Sequence, residues 1–185
     1  GLHGTLPVEF SILSSLFEIT VSDNMMTGTI PPEYSALTEL DTMIMSFNQF
    51  GGDMPGFVFR YPDMVHLDMA FNRFEGKLPD DIPQRMTDLQ VLLMENNNLS
   101  GTIPANLGSL NMRRIHLDDN QLTGTIPTEL GAPPRLRQLY LHSNNLQGTI
   151  PAEFANLQKA EGITTHYNNL EGNVDDQICE QTYQG

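Results

Sequence analysis

A four-residue string, glycine, any residue, an aliphatic residue, proline, returns through this chain at nearly constant intervals. It reads Gly4-Thr5-Leu6-Pro7, Gly28-Thr29-Ile30-Pro31, Gly52-Asp53-Met54-Pro55 and Gly76-Lys77-Leu78-Pro79 in the first half. It continues as Gly101-Thr102-Ile103-Pro104, Gly124-Thr125-Ile126-Pro127 and Gly148-Thr149-Ile150-Pro151, and decays at Gly172-Asn173-Val174-Asp175. The glycines are 24, 24, 24, 25, 23, 24 and 24 residues apart. A unit that short cannot bury its own apolar stripe, so the units must stack on one another into a solenoid.

An asparagine stands four residues before all but the first glycine: Asn24, Asn48, Asn72, Asn97, Asn120, Asn144 and Asn168. Apolar residues precede it by eight, five and three positions, as in Leu40/Met43/Met45, Leu89/Leu92/Met94 and Leu136/Leu139/Leu141. The last set, Ala160/Ile163/Thr165, is weaker. A spacing of two puts the later pair on one face of a strand. Another apolar residue follows the asparagine by two, and one more follows the proline position by three, from Phe10 and Tyr34 to Phe154 and Ile178.

These positions read L-x-x-L-x-L-x-x-N-x-L-x-G-x-I-P, a pattern that resembles the leucine-rich repeat family in its plant-type 24-residue class. The resemblance implies an α/β leucine-rich-repeat solenoid, right-handed and curved into an arc. A parallel sheet of about seven strands would line the concave side, with short strands, 3-10 turns and loops behind. Residues 1–185 then form one domain of about 7.5 repeats that opens in mid-repeat, truncated at its N-terminus, with 160–185 an atypical terminal coil. Members of this class serve as ectodomains of plant receptor kinases and as secreted polygalacturonase-inhibiting proteins. The resemblance also implies that Cys179 belongs to a cap of paired cysteines, its partner lying past Gly185. A free buried thiol is the other reading of Cys179, and both stay open.

The repeat residues have structural work of their own. An inward asparagine, with donor and acceptor, can satisfy backbone groups of its own and the adjacent coil. Glycine allows close approach of coils or a positive φ, and proline fixes φ where no ladder donor is needed. The 25-residue step near Asp80–Asp88 and the 23-residue step near Ser109–Met112 should leave the sheet in register, with slack taken up behind it. Ten methionines, mostly at core positions, read as softer packing. At the front, Leu2, Leu6 and Phe10 are expected to be exposed.

Candidate contact residues alternate with the core residues, at six, four and two positions before each asparagine. The first column runs Glu18, Thr42, His66, Val91, Arg114, Gln138, Gly162. The second runs Thr20, Ile44, Asp68, Leu93, His116, Tyr140, Thr164, and the third Ser22, Ser46, Ala70, Glu95, Asp118, His142, His166. Four histidines share this face, and Glu95, Asp118, His142 and His166 are consecutive in one column, about 4.8 Å from coil to coil. Ile44, Val91 and Leu93 are expected to form a solvent-facing apolar patch, with Phe47 and Phe71 either at its border or packed between coils. The expected partner-binding set is Ile44, His66, Asp68, Leu93, Glu95, His116, Asp118, Tyr140, His142 and His166. Solvated residues or carboxylate–histidine partners are the plainer reading of the histidines. Asp118, His142 and His166 offer metal-type ligands, although a straight row converges poorly on one ion, and no cofactor is expected.

The formal charge is −14, from 9 basic and 23 acidic residues, which disfavours nucleic acid and anionic lipid and suits a basic partner. No run of 18 apolar residues is present for membrane insertion. The chain begins at Gly1, so a signal peptide and any transmembrane segment are expected outside it. Asn98-Leu99-Ser100 is a glycosylation sequon, with Asn98 the acceptor, and fits an extracellular or cell-surface location. Thr5, Thr29, Thr102, Thr125 and Thr149 form a rank of the kind that orders ice, but Asp53 and Lys77 break it. No nucleophile elbow, phosphate loop or zinc-protease motif occurs, and an open sheet excludes little water, so no enzyme activity is expected. The expected function is non-catalytic recognition of a protein, peptide or glycan on the concave face. A structural spacer or assembly subunit, and a secreted inhibitor of a cell-wall-degrading enzyme, are the alternatives.

Overall fold

The computed structural model describes residues 1–172, so the expectations for Val174, Asp175, Ile178 and Cys179 lie outside the described residues. Each repeat contributes one strand to each of two parallel sheets. The first sheet holds seven three-residue strands: Glu18–Thr20, Thr42–Ile44, His66–Asp68, Val91–Leu93, Arg114–His116, Gln138–Tyr140 and Gly162–Thr164. Their middle residues, from Ile19 to Leu139, are buried, while the residues on either side face outward. This is the sheet expected on the concave side, with the strand count and face assignment read from the repeat.

The second sheet is more extensive than the short strands expected behind the first. Eight strands run parallel from His3–Gly4 to Asn169–Leu170, each crossing the glycine of its repeat or ending near it. All eight repeat glycines lie at φ between 77° and 96°, where a side chain is strained. The threonine rank has a packing cause here. A Cβ on Gly28 would sit 2.9 Å from the Thr5 methyl, and one on Gly124 would sit 2.9 Å from that of Thr102. Each threonine thus covers the glycine of the next coil.

Register survives the irregular repeats. His66 pairs with Val91 and Val91 with Arg114, although the intervals differ by two residues. The extra residue is absorbed on the connecting side, where the four-residue α-helix Ile82–Arg85 replaces the 3-10 turns of the other repeats.

Between the sheets lies one continuous core of aliphatic, aromatic and methionine side chains, with Met43, Met45, Met64, Met69, Met86, Met94 and Met112 fully buried. At the front, Leu2 is 60% and Phe10 39% exposed as expected, but Leu6 is buried at 3%, because it points between the sheets against the second coil.

The asparagine spine forms as expected. Asn120 Nδ2 donates to Met94 O at 2.9 Å, Asp118 O at 3.1 Å and Leu117 O at 3.3 Å, and its Oδ1 accepts from Leu99 N at 2.9 Å. Asn72 and Asn144 repeat the same pattern. A second, shorter ladder joins the connecting segments: Tyr34 Oη donates to Pro7 O at 2.9 Å and Tyr61 Oη to Tyr34 O at 3.0 Å. Burial first, then the Glu9 charge, pushes the Tyr34 phenol up to about 12, and burial raises that of Tyr61 as well. Tyr61→Phe should cost about 0.5–1.5 kcal/mol, the net value of one buried hydrogen bond, since Tyr34 O still accepts from the Leu37 amide at 2.9 Å. Urea unfolding checks it, and an unchanged midpoint would count against the ladder.

Candidate functional site

The outward side chains of the seven-stranded sheet stand in the three columns that the repeat predicts, because in-register parallel strands place equivalent residues side by side. At the front, Ile44 and Asp68 are paired across adjacent strands and both are half-buried. Asp68 is held in place: Ser46 Oγ donates to its Oδ2 at 2.9 Å and the Ala70 amide to its Oδ1 at 3.0 Å. Burial nevertheless raises its carboxyl above the ordinary range, and the Glu95 charge adds to this. Burial also lowers the His66 imidazole, and its Nε2 is buried without a hydrogen-bond partner.

The expected apolar patch is corrected. Val91 and Leu93 are only 9% and 8% exposed and pack with Ala70 into a small cluster separate from the main core. Apolar surface is exposed instead at Phe47 on Phe71, stacked with ring centroids 4.2 Å apart and 49% and 38% exposed. Both precede a spine asparagine and take the left-handed conformation, as do Asp23, Asn96, Asp119, Ser143 and Tyr167, with φ between 50° and 57°. That backbone twist places a fourth column beside the other three, one that strand alternation alone does not reveal.

At the other end the columns form pairs between coils. His116 stacks on Tyr140 at 4.3 Å, its Nε2 lies 3.1 Å from Gln138 Oε1, and its Nδ1 is 3.7 Å from Glu95 Oε1. His142 stacks on His166 at 4.6 Å, and its Nδ1 is 2.9 Å from Thr164 Oγ1. His142 Nε2 faces Asp118 Oδ2 at 3.6 Å and Asp119 Oδ2 at 3.7 Å. Burial raises the Asp118 carboxyl, with the His142 charge opposing and the Glu95 charge adding to the rise. Glu95 Oε2 and Asp118 Oδ1 are both buried and unpartnered. The sheet therefore brings Asp68, Glu95 and Asp118 into electrostatic contact and gathers His116, Tyr140, His142 and His166 into two ring stacks. The sequence reading missed Asp119 as a member of this face, and it left Ser46, which stands in its third column, out of the expected partner-binding set. Asp119 was findable, since aspartate beside an asparagine turn readily takes the left-handed region.

Asn98 is exposed at the start of the strand Asn98–Thr102 in the second sheet, where its Oδ1 accepts from Gln121 Nε2 at 3.0 Å. No helix among the described residues is long and apolar enough to cross a membrane.

Asp68 gives a pH test with a definite sign. Its folded carboxyl binds a proton more tightly than the unfolded one, so its penalty is full at neutral pH. The penalty shrinks as pH falls through the raised value and is gone below the ordinary 3.8. Between pH 7 and 4, wild type should therefore gain stability relative to Asp68→Asn. His66 adds in the same direction, since removing the Asp68 charge makes its protonation costlier still. Urea midpoints of both proteins across this range check the slope, and a wild type that loses ground on acidification would contradict it.

A family profile described as Leucine Rich Repeat matches residues 63–84, 88–110, 111–132 and 135–157. The LRR ectodomain of the plant membrane receptor kinase GASSHO1/SCHENGEN3 from Arabidopsis thaliana, solved with CASPARIAN STRIP INTEGRITY FACTOR 2, is 30% identical. It superposes with a TM-score of 0.90 over 95% of this chain and 21% of its own. The Arabidopsis receptor kinase HAESA, solved with the peptide hormone IDA and the co-receptor SERK1, is 26% identical, with a TM-score of 0.91 over 97% of this chain and 30% of its own. Pollen Receptor Kinase 3 is 31% identical, with a TM-score of 0.74 over 84% of this chain and 75% of its own. The chain thus spans between a fifth and a third of the two larger ectodomains. No curated protein sequence matches the chain.

Proposed function

This chain belongs to the leucine-rich repeat family, and from that premise we propose that its seven-stranded sheet is a recognition surface for an extended peptide or protein segment carrying basic side chains. The observation that carries the reading is the run of Asp68, Glu95 and Asp118 on consecutive coils, partly buried and close enough that Glu95 raises the carboxyls of the other two. Such a row costs free energy unless a cation offsets it. A lysine or arginine laid along the coils supplies that charge, and the stacked Phe47–Phe71 pair and the His116–Tyr140 stack offer it apolar flanks. The similar ectodomains solved with CASPARIAN STRIP INTEGRITY FACTOR 2 and with the peptide hormone IDA support a peptide as the class of ligand. An extracellular, non-catalytic role follows from the same likeness, and Asn98, exposed on the second sheet, is a glycosylation acceptor that leaves the binding face clear.

Selection from a random peptide display library tests this. Binders should be rich in lysine and arginine, should lose affinity about tenfold or more with Asp68→Asn/Glu95→Gln, and should weaken with salt. Acidic binders, or basic ones indifferent to both substitutions, would overturn it.

A further inference from the structure

We propose that Asp118, Asp119 and His142 form a binding site for one divalent transition-metal ion of the zinc class. The three side chains each offer a ligand atom, and these atoms lie within 4.8 Å of one another. His142 Nε2 is 3.6 Å from Asp118 Oδ2 and 3.7 Å from Asp119 Oδ2, too far for hydrogen bonds. Two ligands bound at about 2.0–2.1 Å to a tetrahedral ion sit roughly 3.3 Å apart. His142 is within a few tenths of an ångström of that spacing from each carboxylate, and rotation of the Asp119 side chain, which is 42% exposed, brings the two carboxylates together from within 4.8 Å.

Three further features fit an ion there. Asp118 is only 6% exposed, and its second oxygen, Oδ1, is buried with no hydrogen-bond partner beside the cluster. A buried carboxylate oxygen left in that state calls for a cation or an ordered water. His142 is oriented through its other nitrogen, where Nδ1 lies 2.9 Å from Thr164 Oγ1. In the tautomer where Nδ1–H donates to that hydroxyl, the Nε2 lone pair points at the two carboxylates, the usual second contact of a metal-bound imidazole. Finally, Asp119 stands outside the straight row of contact residues. Its φ of 50° turns a side chain that would otherwise alternate away from Asp118 back toward it, which supplies the third corner a row of equivalent positions lacks. His166 does not join the cluster; its ring lies flat on that of His142. Asn96 Nδ2 approaches Asp119 Oδ2 at 3.5 Å and leaves that oxygen only weakly occupied.

One imidazole and two carboxylates select a borderline ion over calcium or magnesium, which prefer six or more oxygens. Three protein ligands leave a position open to water or to a ligand atom of a partner.

Titration of the full chain with zinc chloride alone, followed by calorimetry, and with cobalt chloride, followed by visible absorption, tests the site. One ion per chain is expected. Asp118→Asn, Asp119→Asn and His142→Gln should each weaken it about tenfold or more, Thr164→Val should weaken it by about 10–100-fold, and His166→Gln should leave it unchanged. Asparagine tolerates the left-handed backbone, so Asp119→Asn keeps the fold and is decisive even if another variant does not. No binding by wild type, binding that survives Asp119→Asn, or binding lost with His166→Gln would each overturn the proposal.

Discussion

Gly108→Ala should unfold the middle of the solenoid at a cost of about 3 kcal/mol or more, the upper end for overpacking. A Cβ on Gly108 would lie 2.0 Å from Glu129 O and 2.4 Å from Glu129 C. Both are backbone atoms of the next coil, so no side-chain rotation relieves the clash. Gly131 meets Glu153 in the same way, its Cβ falling 2.4 Å from the carbonyl oxygen. Both glycines lie in 3-10 turns, and both are buried. The cause is contact between coils rather than backbone conformation, since neither has a positive φ. Gly56, in the turn Gly56–Arg60, has nothing within 4 Å of the same position. Gly56→Ala is therefore the control, and it should change stability by less than about 1 kcal/mol. Urea unfolding of the two variants separates the effects, and equal midpoints would contradict the packing account.

Asn120→Ala should be comparably damaging, at about 3–5 kcal/mol. The side chain is 8% exposed and holds four backbone groups: three carbonyls, from Met94, Leu117 and Asp118, and the Leu99 amide. Water cannot replace it between closed coils. The Leu99 amide is left without its acceptor, at about 1–3 kcal/mol. Each carbonyl keeps a second donor, Met94 O from Asn97 Nδ2, Leu117 O from Asn144 Nδ2 and Asp118 O from the Asn96 amide, and so loses one bond of about 0.5–1.5 kcal/mol, some of which relaxation recovers. Asn120→Asp is the informative companion. It keeps the acceptor for Leu99 but loses the donors, and turns a carboxylate toward three carbonyls, so it should be no better than alanine. Asn24, at the first described spine position and only part-buried, should tolerate alanine better. A loss at Asn120 below about 1 kcal/mol would mean the spine contributes less than its geometry implies.

Because one interval governs every coil, a single alignment of the repeat assigned both faces of all seven strands, the inward asparagines and the buried methionines. What escaped the sequence depends on heights and turns that the interval does not encode. Val91 and Leu93 stand on the outward face as expected, yet they are buried there in a cluster with Ala70. Side-chain direction is legible from period two, but cover by other columns is not. The left-handed residue before each asparagine had the same limit. Phe47, Phe71 and Asp119 sit at one repeat position whose φ sends their side chains toward the outward columns. Alternation therefore placed His166 beside Asp118 and His142, whereas the backbone turn supplies Asp119. The α-helix Ile82–Arg85 is a third case: the longer repeat announced slack but not the shape it takes.

Photo-crosslinking tests most directly whether the seven-stranded sheet is the recognition face. A benzoylphenylalanine replaces Tyr140, half-buried on that sheet, in one protein, and Thr125, exposed on the other sheet, in a second. A basic peptide selected on wild type should crosslink to the first protein and leave the second unlabelled. Labelling confined to the Thr125 protein would place the ligand on the opposite sheet and contradict the account.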